Sequence, residues 1–208
     1  MPLITHRGHA PHVHPDAYIA PTAVLCGDVG IGAGARVLFG AVITAEDGHV
    51  RIGRHCVVME NSLVRGRAGH PAEVGDDVLI GPHAHVNGAL VGDGCFLATG
   101  CSLFPGARLE PGVEVRINAV VHANTTVPAG TTVPIAWVAV GDPAQILPPG
   151  RHDDIWAIQQ HLDFAGTVYG ATRQTPPAEL MARQSEWYGH HRDDSMATED
   201  RRHGDEDL

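Results

Sequence analysis

The stretch Val74-Gly75-Asp76-Asp77-Val78-Leu79-Ile80-Gly81-Pro82-His83-Ala84-His85-Val86 sets an aliphatic residue at every sixth position, with a glycine directly after the first two. The same period runs upstream through Val13, Ile19, Leu25, Ile31, Val37 and Ile43, then Ile52, Val58 and Val64. Downstream, one five-residue step leads to Val91. Leu97, Leu103, Leu109, Val115, Val121, Val127 and Val133 follow at intervals of six. Four residues after half of these stands a small side chain: Ala17, Ala23, Ala35, Ala41, Cys56, Ala84, Cys95, Cys101, Ala107 or Ala119. An α-helix needs a period of 3.6, which is absent. One inward aliphatic residue per short strand, with a tight turn between strands, describes a triangular β-solenoid of three hexapeptides per coil. Coils stack ~4.8 Å apart, the spacing of hydrogen-bonded strands. About twenty repeats predict between six and seven coils.

The composition agrees. In 208 residues, 43% are apolar but only 5% aromatic, with 25 Gly and 15 Pro. That suits a core of small and β-branched residues with many turns. A net charge of −10 argues against nucleic acid or an anionic membrane as partner. No apolar run reaches the ~18 residues of a membrane span. The segment from Met1 to His6 lacks a basic stretch followed by an apolar one, so no signal peptide is expected. Cys26, Cys56, Cys95 and Cys101 form no CxxC, so a reducing cytoplasm is the expected location. Cys56, Cys95 and Cys101 take the small inward position and read as core filler; Cys26 follows an aliphatic position and is expected to be a surface thiol.

The expected organisation is an N-terminal segment over 1–10, the solenoid over 11–147, a helical segment over 148–191 and a disordered tail over 192–208. Pro148-Pro149-Gly150 ends the solenoid. Arg151 to Leu162 reads as a helix with Ile155, Ile158 and Leu162 on one face, expected to cover an open flank or end. Pro176-Pro177 opens a second helix running to Tyr188. The tail is charged and poor in large apolar groups. Two interruptions break the ladder, Thr44 to His49 and Arg65 to Glu73, and loops on a rigid scaffold are where function concentrates.

The repeat, the Gly69-His70-Pro71 ahead of Val74-Gly75-Asp76, the five-residue step after Asn87-Gly88 and the closing Val140-Gly141-Asp142-Pro143-Ala144 resemble γ-class carbonic anhydrases. The resemblance covers roughly residues 11–162. It implies an all-β, left-handed parallel β-helix with C-terminal α-helices, assembled as a homotrimer with active sites in the clefts between subunits. It also implies zinc or iron on three histidines, one closing a Cys-Val-Val-His strand and two in Ile-Gly-His-x-x-x-x-His-Gly. Here those three positions hold Arg65, Pro82 and Asn87. The family's Arg-Gly-Asp is Thr44-Ala45-Glu46, and its Gln-Asp-Asn is Met59-Glu60-Asn61. Guanidinium and a proline ring do not ligate zinc, and an amide oxygen does so poorly, so no metal cofactor and no ordinary carbonic anhydrase activity are expected.

The residue after each inward aliphatic points outward, and every third step returns to one face. Counting steps stacks Thr44, Arg65, Asn87, Phe104 and His122 in one outward column. In the arrangement the resemblance implies, a neighbouring subunit's corner of Met59, Glu60 and Pro82 faces that column. Two readings of Arg65 stay open. It forms an intersubunit ion pair with a glutamate (Glu60 or Glu46), or, with Asn87, it binds a carboxylate or other small anion through paired guanidinium donors. In the second case Glu60 is free to act as general base, with Thr44, Glu46, Met59, Pro82, His85, Phe104 and His122 lining the pocket.

Other classes compete. His83-Ala84-His85 has chelate-like spacing, and a displaced zinc site could draw on His85, His83 from a neighbour, and His70 or His122. The histidines near the termini, His6 and His191 among them, read as solvent-exposed. A structural trimer without chemistry is a further reading. A coenzyme A-dependent acyltransferase ranks last, because no long cofactor loop projects from the repeats. Trp156, Phe164, Tyr169, Trp187 and Tyr188 either pack on the solenoid flank or drape over a cleft as part of a pocket.

Overall fold

All twenty aliphatic residues of the six-residue ladder are buried. Each sits over its counterpart one coil away: Val64 pairs with Ile43 on one side and Val86 on the other, and Ile80 with Val58 and Leu97. The result is a parallel, left-handed hexapeptide solenoid of three sheets. A computed structural model describes residues 3–197. Two sheets hold seven strands each, His12–Val13 through Thr126–Val127 and Tyr18–Ile19 through Thr132–Val133. The third stacks eight parallel strands, from Leu3–Thr5 through Val24–Cys26, Val42–Ala45, Leu63–Gly66 and His85–Asn87 to Val138–Val140. Cys56, Cys95 and Cys101 fill the core where alanine stands elsewhere.

About eight turns form, more than the six to seven expected, because both ends extend. Leu3–Thr5 pairs in parallel with Val24–Cys26, so the solenoid begins inside the segment expected to precede it. Val138–Val140 continues the register of Val120–Val121. Each end of this sheet is then closed by an antiparallel strand, Gln145–Leu147 on Val138–Val140 and Ser195–Met196 on Leu3–Thr5. Pairing of this kind removes a bare edge. The strand Ser195–Met196 corrects the expectation of disorder from residue 192; the rest of that stretch, 198–208, lies outside the described residues.

Three α-helices and a short 3-10 helix (Gly189–Asp193) lie between these closing strands. α1 (His152–Gln159) buries Ile155 and packs on Val138–Val140, as expected of a cap. α3 (Pro177–Tyr188) starts on a proline, whose missing N–H costs nothing at a helix start. α2 (Phe164–Tyr169) was not legible in advance. Its six residues are held by their ends: the Asp163 carboxylate accepts from Gly166 N–H, and Gly170 closes the helix in the left-handed region. No described helix is long and apolar enough to cross a membrane.

The two interruptions stack on one corner. Glu46 N–H donates to Gly66 C=O (3.1 Å), Ala68 N–H to the Asp47 carboxylate (2.6 Å) and Ala72 N–H to His49 C=O (3.1 Å). A side chain at Gly66 would meet the carbonyl oxygens of Gly48 and His49 at 2.3 Å, so the glycine after Arg65 is what lets the loops nest.

Truncating the ladder at Ile80→Ala removes a fully buried side chain and should cost about 2–5 kcal/mol in denaturant unfolding. Exposed Thr132→Ala, on the same solenoid, should stay within about 0.5 kcal/mol.

Candidate functional site

The outward column forms as counted. Thr44 pairs with Arg65 and Arg65 with Asn87 in register, while Val86 pairs with Leu103 and Leu103 with Val121, which sets Phe104 and His122 beneath Asn87. Upward the register continues through Cys26, opposite Thr44, to Ile4.

The chain's own C-terminal segment covers this column. Phe164 of α2 packs on Phe104 (ring centroids 5.5 Å) and His122 (5.3 Å), and Tyr169 packs edge-on against Phe164. α2 is anchored by Asn124, whose amide donates to Leu162 C=O (2.9 Å) and Thr167 Oγ1 (2.8 Å), and by Arg67, which donates to Val168 C=O. Tyr188 at the end of α3 lies beside Arg65, its hydroxyl 3.5 Å from the guanidinium. Trp187 carries Arg7 over its ring at 4.4 Å. Phe164 and Tyr188 therefore pack on the flank that holds the column, whereas Trp156, on α1, stays exposed with Arg173 over its ring at 4.8 Å.

The cover leaves polar atoms without partners. Arg65 Nε, Asn87 Oδ1 and His122 Nε2 are buried and make no hydrogen bond, although Asn87 and His122 are only 5% and 6% exposed. Such groups cost on the order of 1–3 kcal/mol each unless something pairs with them. Three of them stand in one column. Burial lowers the pKa of His122, with its hydrogen bond to Ala123 C=O opposing only in part. Burial and then the Arg65 charge lower that of His85. Both shifts favour the neutral ring.

Arg65 meets Glu46, with Nε and Oε1 4.0 Å apart. Glu46 is buried and also accepts from Thr44 Oγ1 (3.1 Å), and its other oxygen lies 3.1 Å from His191 Nε2. The carboxylate that Arg65 meets is thus Glu46 of its own chain, at a loose 4.0 Å, whereas the first reading named an intersubunit pair. Glu60, Met59 and Pro82 stand on a separate corner. There the backbone ladder runs Phe39, Glu60, Pro82, Thr99, Ile117, as Asn61 N–H donates to Phe39 C=O, His83 N–H to Glu60 C=O and Gly100 N–H to Pro82 C=O. Phe39, Ile117 and Ile135 on this corner are exposed. Within one chain the structure does not bring Glu60 to Arg65.

The donor set at the three positions where the resemblance places metal ligands does not fit zinc. Arg65 puts a fixed cation there, and its orphaned Nε is a donor, the opposite of what a cation needs. Among the described residues of one chain the displaced candidates form no group of three donors, and the set that takes His83 from a neighbour depends on a second chain. His83 is exposed at a corner with φ 57°, and His70 lies in the 67–70 turn, its pKa lowered by burial and then by the Arg67 charge. The donors that do converge went unseen in the sequence: His6, Cys26, His191 and Asp194, whose ligand atoms all lie within 4.8 Å of one another. His6, expected to be exposed, is 2% exposed, and Cys26 points outward as expected but is buried under Asp194. No local signal marks this group, because it depends on the chain returning from residue 191 to its first strand.

Residues 71–105 match a family described as the hexapeptide repeat of succinyl-transferase. A mitochondrial γ-carbonic anhydrase of Arabidopsis thaliana is 36% identical over 94 residues, 42% of this chain and 34% of the plant protein. The carnitine operon protein CaiE of a Proteus species is 34% identical over 111 residues, 45% of this chain and 56% of that protein. The matched stretch thus spans about a third of the first relative and just over half of the second. Among solved structures, a hexapeptide transferase family protein from Anaplasma phagocytophilum superposes with a TM-score of 0.54 at 20% identity, covering 90% of this chain and 93% of that one. The fold is shared with it. The resemblance to γ-carbonic anhydrases read from the repeat holds at modest identity.

A His buried neutral in the fold but free to protonate when unfolded makes stability fall as pH drops below its ordinary value of 6.5. The denaturant midpoint should therefore fall between pH 7.5 and pH 5.5, and His122→Asn should flatten that slope; an unchanged slope would mean His122 is not held neutral.

Proposed function

We propose that this chain is a γ-carbonic anhydrase-like hexapeptide-repeat protein that has lost the zinc site of such relatives and binds a small anionic or polar molecule instead, in an intersubunit cleft of a homotrimer. The observation that carries the reading is the row of buried, unpartnered Arg65 Nε, Asn87 Oδ1 and His122 Nε2 beneath Phe164 and Tyr188. A carboxylate takes the charge-assisted donors of Arg65. A hydroxyl or protonated oxygen on the same molecule donates to Asn87 Oδ1 or to His122 Nε2. Phe104 and Phe164 exclude water, which strengthens each of these bonds. Occupation satisfies groups that the free protein leaves unpaired, and that is the source of affinity.

The homotrimer brings a second set of residues. The corner carrying Glu60 and Pro82 also exposes Phe39, Ile117 and Ile135, an apolar ridge that a neighbour's flank would bury. Seated beside the Arg65 column of the next subunit, Glu60 is the group available as general base for metal-independent lyase or hydrolase chemistry. Metal-assisted hydration of CO2 is not supported by Arg65, Pro82 and Asn87, which offer zinc no ligand set.

Two measurements test this. In calorimetry against bicarbonate, acetate and short dicarboxylates and hydroxycarboxylates, at least one should bind saturably, and Arg65→Ala should weaken it by roughly tenfold or more. No binding across the series, or binding indifferent to Arg65→Ala, contradicts the reading. In light scattering the wild type should have the mass of three chains, and Ile135→Asp should shift it toward one; a monomeric wild type removes the intersubunit cleft.

A further inference from the structure

Four metal-ligand side chains meet at the N-terminal end of the same column. His6 follows the first strand, Cys26 ends the next, and His191 and Asp194 arrive from the segment after α3. The Asp194 carboxylate sits at the middle. One oxygen is 2.5 Å from His6 Nδ1; the other is 2.8 Å from His191 Nδ1 and 3.7 Å from Cys26 Sγ. The rings of His6 and His191 lie side by side, centroids 4.3 Å apart.

We propose that His6, Cys26, His191 and Asp194 form a binding site for a divalent transition metal, zinc by the character of the donors. Two imidazoles, a thiolate and a carboxylate are the ligand types of a four-coordinate zinc site, and they carry the two negative charges that neutralise a dication. Bonds of ~2.0–2.3 Å would need the ligand atoms about 3.5 Å apart, so atoms now within 4.8 Å need only draw together by about an ångström.

His6 is 2% exposed, so its ring is held in the site with Nδ1 toward Asp194. One further observation points to an ion rather than to a set of hydrogen bonds. The far nitrogen of His191 faces the buried Glu46 at 3.1 Å, the carboxylate–histidine pairing that fixes ring orientation around metal sites. A cleft of ≈ 240 Å³, lined by Arg7, Asp28, Glu46 and His49 among others, has His6 in its wall.

The four ligands are not those of the proposed anion cleft, although Glu46 borders both. Cys26 is two coils from Arg65 in the register, about 10 Å along the stack. Its consequence is structural: the ion would tie residues 191–194 to the first two strands, and with them the closing strand Ser195–Met196 and the cover over Arg65. Either site could fail its test while the other stands, since one is read by metal content and the other by carboxylate binding.

The test uses the full, untagged chain, stripped with chelator and titrated with Zn(II) and Co(II). About one equivalent should bind per chain. The cobalt form should show the strong visible bands of tetrahedral coordination with a thiolate-to-cobalt charge-transfer band. Cys26→Ser should remove the charge-transfer band, and Asp194→Asn should weaken metal binding at least tenfold; Cys95→Ser should change neither. The wild-type spectrum needs no variant, so it decides even if one fails to fold. Absence of stoichiometric binding, or a cobalt spectrum without a thiolate band, would overturn the proposal and leave the four groups as a hydrogen-bonded clamp.

Discussion

Everything here depends on the stacking of one hexapeptide on the next. Because each coil hydrogen-bonds to its neighbours in a fixed parallel register, the residue that follows an inward valine has its neighbours assigned by arithmetic. An outward side chain cannot choose its company. Arg65 must stand between Thr44 and Asn87, and Phe104 and His122 must follow below. A rigid column of chosen chemistry is what such a scaffold supplies. It holds polar atoms in place whether or not they are satisfied, and here three are not.

The same rigidity explains why the arginine matters. In a flexible loop Arg65 would turn to water or close fully on Glu46. Held on a strand and covered by Tyr188, it reaches the glutamate only at 4.0 Å and leaves Nε unpaired. A loose, half-buried ion pair of this kind is a poor structural element, since the desolvation of Glu46 is not recovered at that distance. It is better suited to be opened by a competing anion.

The solenoid was legible in the sequence because its signal is repeated twenty times and each repeat buries its own residue. The column was legible for the same reason. What was not legible came from contacts without a period. Two residues, Ser195 and Met196, pair with Ile4 and Thr5 across almost the whole chain, and nothing local announces it. That return changes the meaning of several residues: His6 and Cys26 become buried, and His191 joins Glu46. α2 was missed because six residues held by an Asp163 cap and a Gly170 stop show too little periodicity. The corner of Glu60 and Pro82 formed as a ladder, but whether it meets Arg65 depends on a second copy of the chain.

The most direct test of the anion cleft is a crystal structure of the full chain grown with a small carboxylate. The account predicts a carboxylate bridging Arg65 and Asn87 beneath Phe164, with Glu46 drawn away from the guanidinium and toward His191. A structure in which Glu46 closes fully on Arg65 and the added carboxylate is found elsewhere would contradict it.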